Sequence, residues 1–281
     1  MPIHDQTYRR YGGRRDVVGR AWQVIATNGV LTMVRKRLFL GLLLAAWIPF
    51  VVQAIIIYFS TNFSQIAPIL SVNAERFRTF LQWQQNLPVF IITVWVGAGL
   101  IANDKRANAL QIYLSKPLTR FEYITGKMVI LGIFLLGVTL LPALLLLVLQ
   151  VSFSGSFTFL RQNLYLFPAI TLLSFLQTLL SAFLILALSS MSKSSRFVAI
   201  LYAGVIFFSE ALYGIVYAIT GNSSLSWISV GANLRQLGNV IFRLDTPYST
   251  HPAVSLLAVL VLMGVSAWIL ERQVRGVEVV S

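Results

Sequence analysis

Six long apolar runs restrict what this chain can fold into more than any other feature of its sequence. A helix needs roughly 20 residues to cross the hydrocarbon core of a bilayer, and each run is near that length. We therefore predict an all-α integral membrane protein whose six transmembrane helices lie at about residues 38–60, 86–103, 127–151, 165–190, 197–220 and 252–270.

The overall composition favours the same class. Hydrophobic residues make up 57% of the chain and charged residues only 11%. Soluble globular domains carry roughly 25% charged residues, so this chain has too few charges to coat a soluble surface of its size. We expect a multi-pass protein of the plasma membrane, which in a bacterium is the cytoplasmic (inner) membrane, with the lipid bilayer as its surroundings.

Lysine and arginine are divided unequally between the two ends of the six runs. Seventeen of the 22 lie before the first run, between the second and third, between the fourth and fifth, or after the sixth. The other end carries only Arg76, Arg78, Arg161, Arg235 and Arg243. Because cytoplasmic loops carry the excess of basic residues, we predict that both termini are cytoplasmic. Topology thus accounts for the net charge of +13 and leaves little reason to expect a nucleic acid as partner.

Residues 1–37 form a basic region ahead of the first run. Between Asp16 and Arg37, apolar residues recur one to two helical turns apart among basic and amide side chains; they are Val18, Trp22, Ile25, Leu31 and Val34. This pattern predicts an amphipathic helix at the membrane interface, and a solvated helical tail is the alternative. The membrane domain then covers residues 38–270, and residues 271–281 form a cytoplasmic tail.

Two further features shape the predicted helices. Pro49 and Pro142 lie inside the first and third runs, where a proline interrupts helical hydrogen bonding and is expected to kink the helix.

In the long loop before the sixth run, apolar residues form a stripe from Trp227 to Ile241. We predict from it a short amphipathic helix that caps the outer end of the bundle.

The loop between the second and third runs, residues 103–127, is the most distinctive stretch. Asn103 to Arg106 provides a charged exit into water, and Ala107 to Leu114 has room for about two helical turns before Pro117 ends the helix. Thr119 and Glu122 have the spacing of a capping box, which predicts the start of the next helix. The loop is either an ordinary polar hairpin or a short helix presented to a soluble partner.

The order of features here resembles the permease subunits of type-2 ABC transporters. A run ends in the small-residue segment GAGLIANDK and is followed by a short helix, Ser115-Lys116-Pro117, and then Arg120, Glu122, Tyr123 and Gly126-Lys127 at the head of the next run. The resemblance covers residues 95–130, and the six-helix layout extends it across most of the chain.

What the resemblance implies is a permease subunit of an exporter, with an N-terminal elbow helix. It pairs with an identical or related permease and with two separately encoded ATPase subunits, which bind ATP and Mg²⁺. A coupling helix in the 103–127 loop docks on the ATPase. The residues carried over for this role are Asp104, Lys105, Arg106, Lys116, Pro117, Arg120 and Glu122. The transported substrate is not indicated.

The sequence contains no feature that predicts an enzyme. The phosphate-binding pattern GxxxxGK[ST] is absent, and Gly126-Lys127-Met128 lacks both the upstream glycine and the hydroxyl residue. There are no cysteines and only two histidines, far apart in sequence, so neither a catalytic constellation nor a metal or other cofactor site is predicted in this chain.

Glu210 lies within the fifth run, where an ionisable side chain is costly enough to suggest a function or a specific partner. Gln177 in the fourth run and Gln53 in the first could join it in an intramembrane polar layer. Such a layer could carry substrate or protons, or it could only join helices, with Glu210 protonated or bonded to Ser209 or Tyr213. The first possibility gives an alternative function, an ion-coupled secondary transporter or channel.

Overall fold

The computed structural model describes residues 21–63, 73–109, 119–154 and 158–274. Throughout these ranges the regular secondary structure is helical, without a strand. Six helical spans are long and apolar enough to cross a membrane. They are Arg37–Asn62, Ala74–Arg106, Arg120–Ser154, Leu166–Met191, Ser195–Thr220 and Pro252–Gln273. The predicted all-α class with six spans is confirmed, and the chain is a multi-pass membrane protein by the length and composition of its helices.

Breaks in two spans follow the prolines. The first consists of helices Arg37–Ala45 and Ile48–Asn62, with Pro49 in the first turn of the second helix. The third is divided at Thr139 into Arg120–Val138 and Leu140–Ser154, three residues before Pro142. Each proline removes one backbone donor, so the helix is interrupted in the turn before it. The breaks occur where Pro49 and Pro142 predict them.

The second span is longer and less regular than its apolar run predicts. It is already helical at Ala74, and it includes helices Ala74–Gln84 and Phe90–Ile92 with two π-helical turns, Gln85–Val89 and Thr93–Gly97. Pro88 lies in the first π turn, where its missing N–H is tolerated. After a turn, the span ends in a short helix, Ala102–Arg106, which we call the loop helix.

The fourth span lies at the centre of the bundle. In its most apolar window 67% of residues are buried, against 11% in the first span, 17% in the fifth and 22% in the sixth. The peripheral spans therefore present apolar side chains to their surroundings, such as Ile55, Phe208 and Leu257. In a membrane protein such faces meet lipid or another apolar protein surface.

The N-terminal helix, Ala21–Val34, packs against the start of the third span. A Cβ added at Gly29 would lie 2.1 Å from Cδ1 of Ile130, and one added at Gly126 would lie 2.9 Å from Cβ of Ile25. The two glycines therefore allow a close approach of the helices. The predicted apolar stripe is divided, because Ile25 faces this contact while Leu31 and Val34 are exposed. Residues 1–20, including Val18, lie outside the described ranges, and the interfacial position of the helix stays a prediction.

The helix predicted near residues 227–241 is present as Val230–Ile241, preceded by a 3-10 helix at Ser223–Ile228. Leu234 and Leu237 share an apolar cluster with Leu180 and Val259, and Leu262 packs against that cluster. Val259 lies about two turns inside the sixth span, so the helix packs against the side of that span as well as lying at its end. We call Val230–Ile241 the insertion helix. A helix at this depth must pack its apolar residues against the spans on several sides, which its sequence alone does not indicate.

Candidate functional site

The loop helix brings Asp104 against the first turns of the third span. Its carboxylate accepts a hydrogen bond from the Tyr123 hydroxyl at 2.7 Å and forms an ion pair with Lys127 at 2.8 Å. The side chains of Lys127 and Asp104 are only 11% and 19% exposed. Asn103 to Arg106 is therefore not a simple exit into water, because Asp104 ties the end of the second span to the start of the third.

The end of the fourth span holds the backbone that enters the loop helix. The Ser189 hydroxyl oxygen accepts hydrogen bonds from the backbone N–H groups of Ile101 and Ala102, at 3.1 and 3.0 Å. The same hydroxyl donates to the carbonyl of Ala98 at 2.9 Å. These N–H groups belong to the turn and the first residue of the loop helix, where no earlier helical carbonyl is available.

Lys105 extends the same connection to the sixth span. Its ammonium group donates to the Ser190 carbonyl and, at 3.3 Å, to the side-chain oxygen of Gln273. The loop helix is thus bonded to the third, fourth and sixth spans at once. We call this set the loop-end cluster; its members are Asp104, Lys105, Tyr123, Lys127, Ser189, Ser190 and Gln273.

Glu122 has a local role at the start of the third span. Its carboxylate accepts hydrogen bonds from the backbone and the hydroxyl of Thr119, both at 3.0 Å, and the Thr119 hydroxyl accepts from the Glu122 backbone at 3.2 Å. The predicted capping box is therefore present.

The remaining coupling residues are exposed or lie outside the described ranges. Arg106 and Arg120 are exposed, and within the described ranges neither forms an ion pair. The loop helix ends at Arg106, and Asn108 follows with a φ of 53°. Residues 110–118, which include Lys116, Pro117 and most of the predicted coupling helix, lie outside the described residues.

Most partners in the loop-end cluster were missed from the sequence. Lys127 was visible as a charge at the head of an apolar run, but Ser189 and Ser190 are ordinary small residues of a span and Gln273 lies in the region assigned to a tail. The only available signal was that the second, fourth and sixth runs all end on the predicted cytoplasmic side.

Glu210 has partners on the insertion helix and at its N-terminus. Its carboxylate forms an ion pair with Arg235 and accepts a hydrogen bond from the Ser229 hydroxyl. Ser229 is also the N-cap of the insertion helix, because its hydroxyl accepts from the backbone N–H of Ala232 at 2.9 Å. The expected partners, Ser209 and Tyr213, are thus replaced by residues from the loop before the sixth span.

Two other charged or aromatic groups surround this ion pair. Arg78 of the second span donates to the Arg235 carbonyl at 3.5 Å. The Tyr248 ring lies 5.8 Å from the Arg235 guanidinium carbon. Burial raises the pKa of Tyr248, so its phenol stays neutral beside the two arginines.

The predicted polar layer does not form a hydrogen-bonded unit. Gln177 is only 3% exposed, and with Arg78 and Arg235 it lines a void of about 20 Å³, enough for one water molecule. Glu210 and Arg235 line a neighbouring cavity of about 260 Å³. Among the described residues, no hydrogen bond joins Glu210 to Gln177 or Gln53.

Comparison with protein-family models and with curated proteins gave no match to this chain.

Proposed function

We propose that this chain is the membrane-spanning permease subunit of an ATP-driven ABC exporter of the type-2 class. In this proposal two permease subunits, identical or related, assemble with two separate ATPase subunits. The observation that carries it is the loop-end cluster, in which the segment resembling the ATPase-coupling loop is bonded to three spans.

A coupling loop must transmit displacement to the helices around the transport path. Asp104 is bonded to the third span through Lys127, and Lys105 is bonded to the fourth and sixth spans through Ser190 and Gln273. When ATP brings the ATPases together and they push on residues 103–127, these bonds pass the movement to the spans. A flexible hairpin without such bonds would bend and absorb it.

The exposed arginines give the loop a surface for docking. Arg106 and Arg120 flank the segment 107–119 and have no ion pair in the described part of the chain. Arginine is well suited to bidentate bonds with carboxylates of a protein partner. We therefore assign docking to Arg106 and Arg120, and transmission to Asp104 and Lys105.

Co-purification from native membranes tests the proposal. A P-loop ATPase should co-purify with the wild-type chain in nanodiscs, and the Arg106→Gln/Arg120→Gln variant should lose it. Arg161→Gln, an exposed arginine in the loop between the third and fourth spans, is the control and should retain it. If no ATPase is captured and the chain alone moves ions in liposomes, the proposal is wrong.

The division of roles has its own test. Asp104→Asn should still capture the ATPase, but ATP hydrolysis by the reconstituted complex should no longer drive transport. Loss of capture by Asp104→Asn in a properly folded protein would contradict the division, because it would make Asp104 part of the docking surface.

A further inference from the structure

A groove of about 900 Å³ lies between the N-terminal helix and the second, third and fifth spans. Its size is comparable to pockets that hold drug-sized ligands and much larger than a single ion requires. The groove takes no part in the loop-end cluster beyond sharing Asp104 and Lys127. It therefore requires a separate explanation.

The lining of the groove is chemically mixed. Lys36, Asp104 and Arg196 line it together with apolar residues that include Val94 and Trp95 of the second π turn. Trp95 is 42% exposed, so the apolar part of the lining is open to an occupant.

The lining of the groove carries uncompensated positive charge. Asp104 neutralises Lys127 at 2.8 Å. Lys36 and Arg196 line the same groove, and neither forms an ion pair in the part of the chain that the structure describes. The hydrogen bond given by the Lys36 ammonium in that part of the chain is to the Met33 sulfur, at 3.8 Å. No aspartate or glutamate occurs between residues 17 and 74, so the neighbouring sequence does not supply the missing charge.

We propose that this groove binds an anionic phospholipid, whose phosphate pairs with Lys36 and Arg196 and whose acyl chain lies against Val94 and Trp95. An amphiphile matches a groove whose lining combines cationic and apolar side chains. The surrounding bilayer supplies such molecules, and basic residues attract anionic headgroups. The proposal requires a membrane but does not depend on an ATPase.

Two other occupants fit the groove less well. Residues 1–20 precede the N-terminal helix, but they carry five arginines against two aspartates and would bring like charge to Lys36 and Arg196. A water-soluble protein could not reach Trp95, which lies inside a membrane span.

Native mass spectrometry of the full chain, released from micelles containing phosphatidylglycerol and phosphatidylcholine, tests the role of Lys36 and Arg196. The wild type should retain phosphatidylglycerol in preference to phosphatidylcholine. In the Lys36→Gln/Arg196→Gln variant this preference should fall by about twenty-five-fold, since each basic residue near an anionic headgroup contributes a factor of about five.

The matched control is Arg35→Gln/Arg37→Gln, which removes the same charge from exposed neighbours that do not line the groove. It should keep most of the preference. Equal losses in both double variants would reduce the effect to general attraction and overturn the site. Displacement of the lipid by millimolar inorganic phosphate would also overturn it, because the acyl chain would then contribute nothing.

A photo-crosslinking amino acid at Asn28, an exposed residue lining the groove, identifies the occupant in native membranes. A lipid adduct, reduced in the Lys36→Gln/Arg196→Gln background, supports the proposal. An adduct to residues 1–20 or to another protein contradicts it. Because capture of an ATPase is measured separately, failure of this inference is distinguishable from failure of the transporter assignment.

Discussion

Asp104 shows how a single carboxylate can join two helices of this bundle. It accepts from Tyr123 and pairs with Lys127, and both partners lie in the first turns of the third span. Both members of the ion pair are largely buried, so each charge depends on the other for compensation. The bond therefore matters for stability as well as for any movement that it transmits.

Asp104→Asn should lower the free energy of unfolding by roughly 2–3 kcal/mol, because it leaves the Lys127 ammonium without a counter-charge. Lys127→Gln should have a similar effect, and the double variant should cost clearly less than the two single effects added. Thermal unfolding in nanodiscs measures this cycle. Arg106→Gln, an exposed control, should change little, and additive effects of Asp104→Asn and Lys127→Gln would show that the pair is not coupled.

Glu210 and Arg235 form the second charge pair, between the fifth span and the insertion helix. Glu210→Gln should destabilise the protein because Arg235 loses its counter-charge, and Glu210→Gln/Arg235→Gln should recover part of the loss. Unfolding temperatures of the single and double variants test these expected changes in stability. Transport by the double variant separates the two interpretations: retained transport means that Glu210 joins helices, whereas loss of transport in a stable double variant would support the ion-coupled alternative.

At the level of helices, close packing depends on a few glycines. A Cβ added at Gly97 of the second span would lie 2.7 Å from Cγ2 of Ile185 in the central fourth span. Gly132 in the third span has no atom within 4 Å of the same position. Both are glycines inside long apolar runs, but only at Gly97 does a neighbouring helix leave no room for a Cβ atom.

Gly97→Ala should therefore destabilise the protein by about 1–3 kcal/mol through overpacking. Gly132→Ala should be neutral or stabilise it by about 0.5–1 kcal/mol, because alanine favours the helical backbone. Adding Ile185→Ala to Gly97→Ala should remove the clash, so the double variant should lose less than the sum of the single effects. A Gly97→Ala variant as stable as the wild type would contradict the packing described here.

At the scale of the whole molecule, the sequence predicts how the protein is oriented in the membrane. The unequal distribution of lysine and arginine predicts that the loop helix is cytoplasmic and the segment before the sixth span is external. The chain contains no cysteine, so single-cysteine variants can be labelled without background.

A membrane-impermeant maleimide should label Thr246→Cys in intact cells and leave Arg106→Cys and Lys193→Cys unlabelled. These three positions are exposed in the structure. Inverted membrane vesicles should reverse the pattern. Labelling of Arg106→Cys from outside would invert the topology and rule out contact with a cytoplasmic ATPase.

Local sequence patterns predicted most of the fold. The apolar runs located all six spans, prolines located two breaks, and Thr119 with Glu122 located the start of the third span. The depth of the insertion helix and the irregular second span were not predictable in the same way. Both depend on what packs around them, and a stripe of apolar residues has the same pattern whether it caps a bundle or enters it.

The sequence by itself determined the membrane class, the number of spans and the start of the third span, because these depend on the hydrophobicity and backbone chemistry of neighbouring residues. Only the tertiary structure decided which polar groups meet. Lys105 bonds to residues 85 and 168 positions away, and Glu210 pairs with an arginine 25 positions away. Inside a membrane each charge needs a partner, but its choice among distant candidates follows from the packing of the helices that carry them.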